Sequence, residues 1–389
     1  MPNIKVGVIG TGFIGPAHVE AIRRLGFVEV VAIAGSSLES ARRAANHLSI
    51  PKAYGDYRDL LQDPEVQVVH NCTPNHLHYS VNLDIIKAGK HVMSEKPLAV
   101  SRTQTRTLLE QARQKGIVHG VCFNYRQYPM VQHLKSLVLS RALGDVRLIR
   151  GNYLQDWLSS AIDYNWRIDP KLGGPVRAVG DIGSHWMDTV QYITGQRITE
   201  VYADLVTVLP VRKKRKTKSD TFSHGSKVQE DEYEDIHIAS EDYGTILFRF
   251  SGGATGVVTV SQITPGRKNH LLCEIDCSES SALWNQEQSE QLWIGHRNKP
   301  NEMVMADPAL LSEQAQPFLH YPGGHNQGWP DGMKNLMAQF YGFIAKNGDP
   351  LSDSLPFASF DDGHANACIL DAIVESSKKR EWIRVSYDM

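Results

Sequence analysis

No stretch of this 389-residue sequence approaches the ~20 consecutive apolar residues that a membrane-spanning helix needs, which argues against a place in a bilayer. Nor does charge of either sign dominate, since 41 basic residues face 43 acidic ones. Nucleic acids and anionic membrane surfaces both recruit proteins through a clear basic excess, so neither is expected as a partner. Cysteine is scarce and odd in number, at positions 72, 122, 273, 277 and 368. An odd set without framework spacing argues against secreted disulfide chemistry. Cys273 and Cys277 lack a second Cys/His pair to complete a metal site, and Leu272-Cys273-Glu274-Ile275 alternates as a strand does. The cysteines are therefore read as structural thiols, and no metal is expected. Met1-Pro2-Asn3-Ile4-Lys5 runs straight into a strand with no apolar h-region or cleavage site, so the expected location is cytoplasmic. The length suits about two domains.

The first third alternates strand and helix. Lys5 to Ile9 reads as a buried strand that ends in Gly10-Thr11-Gly12-Phe13-Ile14-Gly15, a G-x-G-x-x-G run placed before a helix beginning near Pro16. In that context the glycines allow a tight turn, a close approach of backbone to a pyrophosphate, and close helix-strand packing. A plain turn is the alternative, and the repeats that follow weigh against it. They are a strand at 28–34, a helix at 38–48, a strand at 66–72, a helix at 78–88, a strand at 91–94, a helix at 103–115 and a strand at 118–123. Such alternation means right-handed crossovers and a parallel sheet, hence a Rossmann dinucleotide-binding domain over residues 1–125.

An acidic residue at the end of the second strand would hold the ribose of NAD, but here stand Gly35-Ser36-Ser37, with Arg42 and Arg43 a turn further on. Ser36 and Ser37 can bond a ribose hydroxyl or a phosphate, so the cofactor is NAD or NADP, with NAD the first candidate. An exposed helix face is the plainer account of the arginines. Thr73, Pro74 and Asn75 end another strand on the ligand-binding edge, with His78 just beyond, and join the cofactor candidates. Glu95-Lys96-Pro97 ends the strand at 91–94. A lysine at a strand's carboxyl end, stiffened by proline, is a candidate for chemistry, although most lysines only keep a surface soluble.

After Tyr125 the pattern changes. A helix at 130–141 and a strand at 146–153 lead to long extended stretches at 199–208, 243–250, 254–261, 271–277 and 291–296, with Ser251-Gly252-Gly253 as a hairpin signal. Residues 126–389 are read as an α+β domain built on a large, mostly antiparallel open sheet, serving substrate binding and oligomerisation. Gly180-Asp181-Ile182-Gly183-Ser184-His185 opens a helix running to about Thr194. Asp181 and His185, four apart, would then share a face, where a carboxylate orients a proton-transfer imidazole. The basic cluster Arg212 to Lys216 and the acidic residues Glu230, Asp231, Glu232, Glu234 and Asp235 read as a solvated, mobile loop.

The glycine run, Glu95-Lys96-Pro97, and Asp181 to His185, in that order and spacing, resemble the Gfo/Idh/MocA oxidoreductase family over nearly the whole chain. The resemblance implies a nicotinamide cofactor, a small carbohydrate or cyclitol substrate, and catalytic roles for Lys96, Asp181 and His185. Phe123-Asn124-Tyr125-Arg126, Asn152 to Trp157 and Trp166-Arg167 are similar to sugar dehydrogenases of the levoglucosan dehydrogenase kind. That likeness implies that Gln155, Trp157 and Tyr125 meet substrate, and that Asn124, Trp166 and Arg167 join Glu95 and Lys96 near the cofactor. Core packing remains an alternative for the tryptophans. His325, in Tyr321-Pro322-Gly323-Gly324-His325, is a further substrate candidate, or else caps its own loop.

The implied reaction moves a hydride between a secondary alcohol carbon and nicotinamide, with His185 accepting the hydroxyl proton and Lys96 bonding the same oxygen or serving as the alternative base. Two rivals share the scaffold. One is a glycosidase that retains NAD and uses transient oxidation, and the other is a nucleotide-sensing regulator. Pairing into dimers or tetramers through the second-domain sheet is also expected.

Overall fold

The computed structural model describes residues 3–216 and 233–388. The chain begins with β1 (Ile4–Ile9), α1 (Ile14–Arg23), β2 (Val28–Ala34) and α2 (Leu38–Leu48). It continues through β3 (Lys52–Tyr54), α3 (Tyr57–Gln62), β4 (Val68–Asn71), α4 (Asn75–Lys87), β5 (His91–Ser94), α5 (Arg102–Lys115) and β6 (His119–Val121). These strands form one parallel sheet in the order β3-β2-β1-β4-β5-β6. The order reverses beside β1, and ligands of open α/β sheets bind at that switch point, outside the strands' carboxyl ends. Nearly unbroken apolar runs such as Val30-Val31-Ala32-Ile33-Ala34, all below 5% exposed, are what a strand covered on both faces requires.

β3 and α3 were not foreseen. β3 has three half-buried residues and no alternation to read, and α3 has six residues started by Asp56, whose Oδ1 accepts the Arg58 N–H at 2.9 Å.

The second stretch of chain carries α6 (Pro129–Leu139), β7 (Val146–Leu154), the short helical turn α7 (Pro170–Gly173) and α8 (Ser184–Thr194). Then come β8 (Ile198–Val206), β9 (Val211–Arg215), β10 (Tyr233–His237), β11 (Tyr243–Phe250), β12 (Thr255–Ser261), β13 (His270–Cys277), β14 (Ser280–Asn285), β15 (Gln291–His296) and β16 (Glu302–Met305). With β17 (Ile383–Arg384) they build a nine-stranded sheet in the order β16-β15-β14-β13-β7-β12-β11-β8-β17, with β9 and β10 as a separate pair. Every neighbouring pair in the large sheet is antiparallel except β7 with β12. α6 and α8 cover one face, burying residues such as Ile149, Cys273, Ile275 and Trp284.

The chain returns through α9 (Trp329–Ala345) and α10 (Phe360–Lys379). Two compact units result: residues 1–124 with 329–367, and 125–328 with 368–388. Residues 329–367, which the sequence reading assigned to the second domain, thus belong to the first. The cause is the apolar face of α9, whose Met333, Leu336, Met337, Phe340 and Tyr341 share a core with Val6, Val8, Val19 and Ile22.

The two ends of the region read as a mobile loop, residues 212–215 and 233–235, are corrected to strand. β9 and β10 pair antiparallel, and Lys213 and Lys214 meet Asp235 and Glu234 across the ladder at 3.4 and 3.5 Å. Glu230, Asp231 and Glu232 lie outside the described residues. Arg212 is fully buried: its guanidinium donates to the carbonyls of Leu158, Ser160 and Asp163 and to Asp242 Oδ1 at 2.7 to 3.0 Å. Four of the cysteines are buried and Cys277 is half-buried, all as free thiols. No helix among the described residues is long and apolar enough to cross a membrane.

Candidate active site

Steric necessity builds the turn between β1 and α1. Gly10 holds φ 118°, and a Cβ there would meet the Cys72 carbonyl oxygen at 2.4 Å. A Cβ on Gly15 would meet the Gly10 carbonyl oxygen at 2.2 Å, whereas one on Gly12 would meet nothing within 4 Å. The first and third glycines therefore close the turn and seat the helix, while the second leaves a bare approach to the backbone. α1 starts at Ile14, earlier than the sequence implied, so its unpaired N–H groups lie within the motif. Thr11 is half-buried, and Phe13 turns its ring outward at 62% exposure.

At the end of β2, Ser37 has a structural duty. Its Oγ accepts the Ser40 N–H while Ser40 Oγ accepts the Ser37 N–H, both at 3.2 Å, which closes a capping box on α2. Ser36 stays exposed, Arg42 is exposed, and Arg43 pairs with Glu39 along the helix at 2.9 Å.

The carboxyl ends of β4 and β5 are tied by side chains. Asn71 Oδ1 accepts the Thr73 hydroxyl at 2.7 Å, Asn71 Nδ2 donates to Asn82 Oδ1 at 2.8 Å, and Asn82 Nδ2 donates to Ser94 Oγ at 2.9 Å. Pro74 and Asn75 start α4. His78 is 1% exposed, with one ring nitrogen 2.6 Å from the Pro97 carbonyl oxygen and the other 2.7 Å from that of Thr73. The sequence placed it at the cofactor, and its ring nitrogens face the backbone carbonyls of the two loops it joins.

Glu95 is buried beside the half-buried Lys96 and accepts the Lys96 backbone N–H at 3.1 Å. Burial pushes its carboxyl up, but His18, Lys96 and Cys122 more than offset this and bring it from 4.5 to about 2. A folded value below the unfolded one means a contribution to stability that is complete above pH 4.5 and lost as pH falls toward 2. Asn124 Nδ2 and His76 Nδ1 are buried with no hydrogen-bond partner among the described residues. Buried orphans of this kind, together with the bare backbone at Gly12, fit a polar dinucleotide ligand on this edge.

In the second unit the chain departs from a regular helix around Asp181. Val179–Gly183 is a π-helical turn, and α8 starts only at Ser184, so the four-residue spacing to His185 does not impose the expected shared face. Asp181 Oδ2 accepts Gln262 Nε2 at 2.9 Å, and Oδ1 lies 3.4 Å from Arg167 Nε. Arg167 comes from a 3-10 turn capped by Asn165, whose Oδ1 accepts the Arg167 N–H at 3.1 Å, and its guanidinium carbon sits 4.4 Å from the Trp166 ring centre. The sequence placed Arg167 with the cofactor, and the structure joins it to the catalytic candidate Asp181.

His185 is 8% exposed and packs edge-on to Tyr125, with ring centres 4.9 Å apart. Tyr125 belongs to a cluster whose polarity is fixed by one group that can only donate. Trp157 Nε1 donates to Gln155 Oε1 at 2.8 Å, which turns Gln155 Nε2 toward Asn269 Oδ1 at 3.0 Å. Asn269 Nδ2 then donates to Tyr125 Oη at 2.9 Å, and Tyr153 Oη donates to Asn269 Oδ1 at 2.6 Å. The remaining contact, 2.7 Å between the hydroxyls, must have Tyr125 as donor to Tyr153. Burial pushes the Tyr153 hydroxyl well above 10, so it stays a donor. The sequence candidates Tyr125, Gln155, Trp157 and His185 are thus linked through one hydrogen-bonded and ring-packed cluster.

Asn269 and Gln262 were missed. Each lies just outside a strand end, Asn269 before β13 and Gln262 after β12, and a polar residue at such a position was the available signal. His325 is exposed, and its Nδ1 lies 3.1 Å from the Pro322 carbonyl oxygen, so it closes its own turn. Among the described residues, one set of side chains, His18, Glu95 and Cys122, is compact enough to raise the question of a metal.

Comparison with known proteins agrees with both halves of the architecture. Residues 4–123 match the Gfo/Idh/MocA oxidoreductase family with its NAD-binding Rossmann fold, and residues 131–283 match the Gfo/Idh/MocA C-terminal domain. The chain is 31% identical to a levoglucosan dehydrogenase from Pseudarthrobacter phenanthrenivorans over 99% of both sequences. A solved levoglucosan dehydrogenase in complex with NADH and levoglucosan superposes with TM-score 0.87 at 30% identity, covering 99% of this chain and 100% of that one. An inositol dehydrogenase homologue complexed with NAD+ from Azotobacter vinelandii gives TM-score 0.86 at 22% identity over 98% of this chain and 97% of that one, a likeness of fold.

Proposed function

The chain belongs to the Gfo/Idh/MocA oxidoreductase family, and on that premise we propose that it is a dehydrogenase of a sugar, anhydrosugar or cyclitol, with NAD ahead of NADP as cofactor. The observation that carries this reading is the hydroxyl-and-amide cluster of Tyr125, Tyr153, Gln155 and Asn269 beside His185, a surface suited to a polyhydroxyl ligand. The nicotinamide, when bound, supplies the hydride acceptor. The protein's part is to position the alcohol and move its proton. We assign His185 to accept the hydroxyl proton and Lys96 to bond the reacting oxygen. Asp181, held by Gln262 and Arg167, supplies a fixed negative charge that favours the protonated imidazole. Gln155 and Trp157 orient the substrate.

A panel of sugars, cyclitols and anhydrosugars, assayed for reduced cofactor with NAD and NADP separately, tests the reading. Turnover with at least one anhydrosugar or sugar, faster with NAD, is the expected result. Silence across the panel with nicotinamide retained through purification would favour the glycosidase that uses transient oxidation.

We also propose that the sheet face opposite α6 and α8 pairs with a second copy. Leu148, Leu247 and Val206 there are 49%, 40% and 37% exposed, and Leu247 lies directly across from Val257 in the β11–β12 ladder. Arg150 sits among them, bonded to Glu274 and Asp276 at 2.8 and 2.9 Å. Replacing Leu148 and Leu247 together with glutamate should leave a species of 43.5 kDa in sedimentation, against a larger one for the unmodified protein. An unmodified protein that already sediments as a monomer would refute the pairing.

A further inference from the structure

Beneath the glycine turn, in the first unit, four side chains join end to end. Tyr341 Oη on α9 lies 2.6 Å from His70 Nε2 on β4. His70 Nδ1 lies 2.7 Å from His18 Nδ1 on α1, and His18 Nε2 lies 3.0 Å from Glu95 Oε1. Glu95 Oε2 accepts the Lys96 backbone N–H at 3.1 Å. Tyr341, His70 and His18 are each 0% exposed and Glu95 8%. Polar groups this deep persist only when every member is satisfied, which leaves few arrangements of the protons.

Glu95 is an anion and can only accept, which puts a proton on His18 Nε2. Burial pushes His70 well below 6.5, so His70 carries a single proton. Two proton arrangements satisfy these contacts, and in the one with a single proton on each ring His18 Nδ1 accepts from His70 Nδ1–H while His70 Nε2 accepts from the Tyr341 hydroxyl. Every donor then points toward the Glu95 carboxylate and no nitrogen is left over. A second proton on His18 would reverse the contact with His70 and send the His70 proton to Nε2, where the Tyr341 oxygen would accept it. The two states differ in the tautomer of His70, which is observable.

We propose that His18, His70 and Tyr341 form a buried relay of positioning residues for Lys96, polarised toward Glu95 so that this carboxylate stays ionised and anchors the lysine's backbone. The proposal rests on Lys96 serving the dehydrogenase reaction argued above. The titratable groups facing Glu95 are His18 from α1, Cys72 after β4, His78 from α4, Cys122 after β6, and Lys96 itself. His18, Glu95 and Cys122 bring ligand-type atoms within 4.8 Å of one another, but His18 Nε2 and both Glu95 oxygens are already in hydrogen bonds, and burial holds Cys122 as a thiol. A relay accounts for these contacts without a cation.

Nitrogen-15 NMR of the histidine side chains in the full-length protein, with and without NAD, tests the array. The expected spectrum shows His70 as the Nδ1–H tautomer and His18 with its proton on Nε2, and His70 stays neutral across the pH range of the activity profile. A His70 that titrates in that range, or carries its proton on Nε2, would overturn the relay. Its service to Lys96 is read in the pH profile. His18→Leu removes the donor to Glu95, whereas His18→Gln keeps an N–H there. The leucine variant leaves a buried carboxylate without this donor, and kcat/KM should fall at pH 6 relative to pH 9, beyond the unmodified profile, by about tenfold for each unit by which the Glu95 pKa then exceeds 6. The glutamine variant should restore the profile. Equal behaviour of the two variants at every pH would refute the positioning role. If His18→Leu does not fold, Tyr341→Phe decides: the His70 signals must move and the acid limb with them, and a spectrum unchanged from the parent refutes the relay. The spectra need no substrate, so failure of the relay is distinct from failure of the dehydrogenase reading, which would appear as absent hydride transfer in the unmodified protein.

Discussion

Replacing His185 with alanine should slow hydride transfer in single turnover by about 10²- to 10⁴-fold, the range a positioned general base contributes. The imidazole is 8% exposed and wedged against the Tyr125 ring at 4.9 Å, with Tyr153 at 6.3 Å, so its plane is set by packing before any substrate arrives. Alanine leaves that aromatic wall in place and removes the imidazole it orients. Because the lost interaction develops in the transition state, kcat and kcat/KM should fall together. Lys96→Met gives the comparison: a group that bonds the reacting oxygen in both ground and transition state should raise KM as well as lower kcat. Gln155→Ala should act mainly on KM, since its amide lies in the network that shapes the substrate surface. Full rates for His185→Ala across the pH range would hand the role of base to Lys96.

The order of elements and the switch point beside β1 were readable because glycine spacing and strand-helix alternation are local signals. The pairing of Asp181 with Arg167 and Gln262 was not, for a physical reason. A four-residue spacing predicts a shared face only while the backbone keeps a regular helical turn, and Val179–Gly183 widens it. Likewise His70 lies in the apolar run Val68-Val69-His70-Asn71, where a histidine reads as a packing residue until α1 and α9 bring His18 and Tyr341 to its two nitrogens. Ser37 shows the converse. A hydroxyl at the end of β2 reads as a ribose ligand, and the same oxygen turns out to cap α2. Local chemistry identified which residues could act, and only tertiary contacts decided which partners they had already taken.

Arg212 illustrates the same point with the largest expected effect on stability. Read as part of a solvated basic cluster, it is fully buried with Arg177 around Asp242, whose carboxylate is also 0% exposed. Asp242 Oδ1 accepts from both guanidinium groups, and Oδ2 accepts the Val208 and Leu209 N–H groups, each at 2.8 Å. Asp242→Ala would strand two buried cations and two backbone donors. We expect a loss of about 3–5 kcal/mol in urea unfolding, the range for breaking a buried ion pair from one side. Burial pushes the Asp242 carboxyl up, but the Leu209 N–H, Arg177 and Arg212 prevail and leave it below its ordinary 3.8. The stabilisation is therefore complete above pH 3.8 and lost as pH falls below it, and the alanine variant should lack that acid-side dependence. Function should follow from the same contacts. Arg212 holds the carbonyls of Leu158, Ser160 and Asp163, and Glu241 beside Asp242 accepts the Arg177 and Val179 N–H groups at the start of the turn bearing Asp181. At temperatures where the variant is still folded, KM should rise, because both supports of the segment from Gln155 to Asp181 have been loosened. A variant with unchanged unfolding midpoint and unchanged KM would mean that the two arginines are solvated after all, as their sequence context first implied.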